Sequence, residues 1–132
     1  VGYRSDVYIA VAFKSKSDME EVLAVYALDP RVQKFNLVED WAVKEDNILF
    51  YSVEDTKWYD NYEDVQGLEY MLTLADQFTE KRAMPIAHRF IRIGEELDDI
   101  EIREDGRTAQ RSDLIEKLWD GMQLSRSVEV TL

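Results

Sequence analysis

The chain contains no cysteine and a single histidine, His88, in 132 residues. Without thiols there is no disulfide, no thiolate metal site and no cysteine nucleophile, and one imidazole cannot build a multi-histidine centre. Proline occurs twice and glycine five times, so nothing reads as a linker, a repeat or a low-complexity tract. Gly94 stands alone, with no glycine-rich loop to cradle a phosphate. No apolar run approaches the roughly 20 residues of a membrane helix, and Val1-Gly2-Tyr3-Arg4-Ser5-Asp6 lacks the basic-then-apolar layout of a signal peptide. The expectation is a soluble cytoplasmic protein of one domain, residues 1–132, with no membrane partner.

Negative charge is what the chain has in excess. Acids number 28 against 16 bases, a net charge of −12. Such a chain repels nucleic acid in solution and attracts basic protein surfaces, although solubility alone also accounts for the excess.

Patterning predicts an α+β fold. Val7, Ile9, Val11 and Phe13 alternate with Tyr8, Ala10 and Ala12, which is a strand, and the small residues suggest close coverage or a central place in a sheet. Ser17-Asp18-Met19-Glu20 reads as a capping box opening a helix that ends at Asp29-Pro30. Val32–Trp41 and Asn47–Val53 read as two strands of a hairpin turning through Lys44-Glu45-Asp46-Asn47. The longest helix starts with Asp60 as N-cap and Glu63 reaching back to it, carries Val65, Leu68, Leu72, Ala75 and Phe78 on one stripe, and ends at Lys81-Arg82 before Pro85. Gly67 within it implies a close backbone contact. Strands follow at Ile86–Ile93, Ile100–Arg103 and Ser127–Leu132, with a shorter helix from Ser112 or Asp113 between the last two. This order predicts an antiparallel sheet with two or three helices, in the ferredoxin-like split βαβ order with a C-terminal elaboration.

No catalytic motif appears, and no cofactor or metal is expected. His88 alternates with Phe90 and Arg92 on a strand, so it reads as a packed or surface residue. Glu95-Glu96-Leu97-Asp98-Asp99-Ile100-Glu101 holds five carboxylates in seven residues but lacks a calcium-loop spacing, and reads as a solvated loop guarding a sheet edge. Two candidate sites remain. Trp41, Trp58, Tyr59 and Tyr62, ringed by Glu54, Asp55, Asp60, Glu63 and Asp64, have the composition of a protein-binding surface for a basic partner. The competing account is that Trp58 and Tyr62 staple the helix onto the sheet. Alternatively Arg89, Arg92 and Arg103, with His88 and the nearby Arg82, Arg107 and Arg111, gather into an anion pocket for a phosphate or nucleotide, unless they merely neutralise neighbouring carboxylates.

Three segments carry a resemblance. Gly2-Tyr3-Arg4-Ser5-Asp6-Val7, Lys57-Trp58-Tyr59-Asp60-Asn61-Tyr62-Glu63-Asp64-Val65, and Phe90-Ile91-Arg92-Ile93-Gly94-Glu95 with Asp98-Asp99-Ile100-Glu101 resemble small uncharacterised proteins of tailed bacteriophages and prophages. Those open with Met before Gly-Tyr-Arg-Ser, where Val1 stands here. The resemblance brings no catalytic or binding residues. It implies a phage setting in an infected or lysogenic bacterial host, where small acidic proteins act by occupying a host or phage protein, sometimes inhibiting a defence protein. The function expected is therefore stoichiometric protein binding by a phage accessory protein, with the arginine-lined anion module as the alternative.

Overall fold

The computed structural model describes residues 2–106, 112–124 and 128–132. Arg107, Arg111 and Ser127 lie outside the described residues. The chain is mixed α+β, with a five-stranded antiparallel sheet, a two-stranded sheet and helices on both faces of the larger one.

The alternating segment forms β1, Ser5–Phe13, and it is the central strand, paired antiparallel with both β3, Ile48–Thr56, and β4, Ile86–Gly94. β2, Ala42–Lys44, closes one edge against β3, and β5, Ile100–Asp105, closes the other against β4. Asp46 and Asn47 take positive φ angles of 60° and 61° in the turn between β2 and β3, as a tight hairpin requires.

The two faces of β1 enter two separate cores. Val7, Ile9, Val11 and Phe13 pack beneath α1, Lys16–Tyr26, and α3, Glu63–Arg82. Tyr8, Ala10 and Ala12 lie under α4, Ser112–Gly121, and the hairpin of β6, Met122–Leu124, and β7, Val128–Val130. The small alanines let α4 approach a strand that is also central, so both expectations for that face hold.

Three local expectations need correction. Residues 32–41 form no strand. Instead α2 spans Pro30–Phe35, and a 3-10 turn spans Leu37–Asp40. Asp29-Pro30 does not end α1, which stops at Tyr26; it starts α2. Asp29 accepts from the Arg31 and Val32 N–H groups, and Pro30 occupies a first-turn position where its missing N–H costs nothing. Asn36, left-handed at φ 54°, then closes α2. The cap of α1 is Ser15, whose hydroxyl accepts from Asp18 N–H at 3.1 Å, rather than Ser17. The N-cap position of α3 is Tyr62, which makes no side-chain capping bond; Asp60 lies outside the helix and contributes its carbonyl to Gln66 Nε2. Glu63 and Asp64 do stand in the first turn and Lys81 and Arg82 in the last, as the helix dipole favours.

Gly67 has the expected close contact. A Cβ there would meet Leu37 Cδ1 at 2.5 Å, and its carbonyl accepts from the buried Tyr26 hydroxyl at 2.8 Å. The same hydroxyl accepts from Trp41 Nε1 at 3.1 Å. Tyr26, Trp41, Tyr51 and Trp58 then continue as a chain of ring contacts to Phe90. Burial pushes Tyr51 up to about 12 and Tyr26 higher still. Since their folded values exceed the ordinary tyrosine value of about 10, these phenols contribute stability that is intact below that pH and is lost as pH rises towards 12. The urea midpoint should therefore fall above about pH 10. Tyr51→Phe, which keeps the ring and removes the ionising hydroxyl, should flatten that fall.

Candidate functional site

The rungs of the β4–β5 ladder decide what the site contains. Arg92 pairs with Glu101, Phe90 with Arg103 and His88 with Asp105. Side chains alternate across a strand, so all six of these residues face the α3 side. The first two rungs, with Glu69 from α3 and the Trp58–Asp60 segment that leads towards α3, enclose a cleft of about 520 Å³. Its lining comprises Arg92 and Arg103, the carboxylates of Asp60, Glu69 and Glu101, and the Trp58 and Tyr59 side chains.

Both guanidinium groups in this cleft are already engaged. Arg92 Nη2 lies 2.8 Å from Asp99 Oδ1, its Nε donates to Glu101 at 3.1 Å, and its Nη1 reaches Ser5 Oγ. Asp99 also accepts from the Tyr3 hydroxyl at 2.5 Å. The Arg92 guanidinium, aided by the Tyr3 hydrogen bond, holds the Asp99 carboxyl down at about 2. Arg103 lies 2.6 Å from Glu69 and 3.0 Å from Glu101, with its guanidinium 4.0 Å from the centre of the Phe90 ring. Glu69 bridges two elements, since its other oxygen accepts from Trp58 Nε1 at 3.3 Å.

The aromatic candidates divide. Trp41 and Trp58, at 6% and 9% exposed, belong to the core, and Trp58 adds only a buried wall to the cleft; the alternative in which Trp58 staples the helix region to the sheet accounts for its place. Tyr59 is half-buried and Tyr62 exposed, in edge-to-face contact at 5.1 Å. The Tyr59 hydroxyl accepts from Tyr3 N–H at 2.8 Å, which ties the N-terminal segment to this turn. Asp60 and Glu63 are exposed and Asp64 partly so, with Glu63 in a surface ion pair with Lys34.

The arginine candidates divide too. Arg92 and Arg103 share the cleft. Arg89 points to the opposite face, where it lies 3.2 Å from Glu104 and donates to the Met122 carbonyl at 2.7 Å. His88 is buried on the α3 face beside Asp76 rather than in the cleft lining. The acidic 95–101 segment does more than shield an edge, because Asp99 and Glu101 both hold Arg92.

Sequence reasoning missed Glu69, Asp99 and Glu101 as site residues, and with them Tyr3. Asp99 and Glu101 did carry a signal, since they lie in the acidic 95–101 run and the alternative in which the arginines neutralise neighbouring carboxylates accounts for their ion pairs with Arg92 and Arg103. Comparison of the sequence with protein-family models and with curated proteins finds no match.

Proposed function

We propose that this chain is a phage accessory protein that works by stoichiometric binding of a host or phage protein, through the acidic turn Tyr59–Asp64 and the cleft beside it. The supporting observation is the charge balance of that cleft. Its two guanidinium groups are each held by two carboxylates, Asp60 in its lining is exposed, and Glu63 adds exposed negative charge in the first turn of α3. A lysine or arginine side chain from a basic partner suits this site. Tyr59 and Tyr62 supply ring surface for its alkyl stem.

The setting rests on the three segments that resemble tailed-phage proteins, and inhibition of a host or defence protein is the action such binding most directly produces. The alternative, an anionic small molecule or nucleotide held by Arg92 and Arg103, requires both residues to surrender their carboxylates first; Arg89 faces away and His88 lies outside the cleft. The strand order β2-β3-β1-β4 with helical crossovers supports reading this part as a ferredoxin-like unit, with β5, α4 and the small hairpin as the elaboration.

Charge reversal tests the reading without touching the core. Asp60→Lys with Glu63→Lys should leave the far-UV circular dichroism unchanged and weaken capture of the partner from infected-host lysate by at least about tenfold, a loss of roughly 1.4 kcal/mol. Wild-type binding should also weaken as salt rises, because rim charges are screened. If the reversed protein retains the same partner with the same affinity, the acidic turn is not the interface.

A further inference from the structure

The third rung of the β4–β5 ladder lies outside the cleft and has a chemistry of its own. His88 is 6% exposed, and its Nε2 lies 2.8 Å from Asp76 Oδ1 on α3. Asp105 stands opposite His88 on β5. One ligand atom from each of Asp76, His88 and Asp105 lies within 4.8 Å of the other two. The Nε2 atom, on the Asp76 side of the ring, is the one that faces the cluster.

We propose that Asp76, His88 and Asp105 form a binding site for a divalent first-row transition ion, with Zn²⁺ the ion the donors suit best. Three elements, α3, β4 and β5, each deliver one ligand to the same point. A nitrogen donor favours Zn²⁺ over Mg²⁺ and Ca²⁺, which prefer oxygen alone, and the absence of thiolates excludes the soft ions.

The geometry is close to what coordination needs. Donors about 2.0–2.2 Å from a tetrahedral Zn²⁺ lie about 3.3–3.6 Å apart, so the carboxylates need only side-chain rotation to close on the ion. His88 Nε2 exchanges its hydrogen bond to Asp76 for the metal. Gly106 N–H donates to Asp105 Oδ1 at 2.8 Å, which orients that carboxylate as an outer-shell donor does. Three protein ligands leave a fourth position on the side of Asp76, whose side chain is 46% exposed; a water fills such a position in open zinc sites.

The single imidazole makes the test specific. In the untagged, chelator-treated chain, the ring C–H proton resonances of His88 are the only histidine signals. Addition of ZnCl₂ should shift them until one equivalent is bound and should raise the thermal midpoint. Excess Mg²⁺ should do neither. Asp76→Asn and Asp105→Asn keep side-chain shape at partly exposed positions, so both should fold. Each should weaken Zn²⁺ binding by at least about tenfold, since loss even of an outer-shell partner costs 10–100-fold. His88→Gln risks the packing around β4, and the two aspartate variants carry the test for that reason. The proposal is overturned if Zn²⁺ leaves the His88 resonances in place, or moves them equally in the wild type and both variants. It stands independently of the protein-binding reading.

Discussion

Trp58→Ala should destabilise the fold by about 3–5 kcal/mol, a large part of the roughly 5–15 kcal/mol available to a domain of this kind. The indole sits between the Tyr51 and Phe90 rings, with centroids at 6.3 and 6.2 Å, and donates to Glu69. Truncation removes the ring contacts on both sides and leaves a cavity where the chain crosses from β3 towards α3. It also takes one hydrogen bond from Glu69, which holds Arg103 over Phe90, so the cleft wall loosens with the core. Urea unfolding followed by far-UV circular dichroism measures the loss, and Tyr62→Ala is the matched control. Tyr62 is 37% exposed, and its truncation should stay within about 1 kcal/mol. If Trp58→Ala proves as mild as Tyr62→Ala, the indole is not structural, and the surface role assigned to it from sequence returns.

That contrast shows what was legible in advance. Apolar periodicity marked β1, α3 and β4 because burial on one face leaves a regular trace in the sequence. It could not distinguish a tryptophan that anchors a partner from one that closes a core, since both are large rings at the edge of an apolar pattern. Residues 32–41 failed for a different reason. Val32, Phe35, Leu37 and Val38 suit a strand as well as a helix, and the deciding signal was the Asp29-Pro30 pair, which follows the end of α1 at Tyr26 by a short turn and caps the next helix.

The site was only half legible. The aromatic–acidic turn and the arginine cluster read as competing candidates, yet Trp58, Tyr59 and Asp60 line the same cleft as Arg92 and Arg103. Their union depends on which strand pairs with β4 and in what register, and nothing local specifies that. A one-residue slip of β5 would turn Glu101, Arg103 and Asp105 away from α3. Asp76, His88 and Asp105 are invisible to motif reading for the same cause: three elements supply one ligand each, with no fixed spacing in sequence.

Leu118→Ala should cost about 2–5 kcal/mol, and its effect should reach the whole sheet. Leu118 is fully buried in the second core, with Ile115, Leu114 and Met122 around it. Together with the β6–β7 hairpin, α4 covers Tyr8, Ala10 and Ala12 of the central strand and Ala87, Ile91 and Ile93 of β4. A two-layer sheet would leave that face to solvent and carry polar residues on it; here the face is apolar and shut. Loosening α4 therefore exposes the apolar side of β1 and β4 rather than merely fraying an appendage. Amide hydrogen exchange should quicken in β1 and β4 as well as in α4, with a lower urea midpoint and a greater tendency to aggregate. Ile102→Ser, on the same face but 43% exposed on edge strand β5, should stay within about 1 kcal/mol of wild type. Faster exchange confined to α4 and the β6–β7 hairpin, with β1 protection unchanged, would show that the second layer is not part of the cooperative unit.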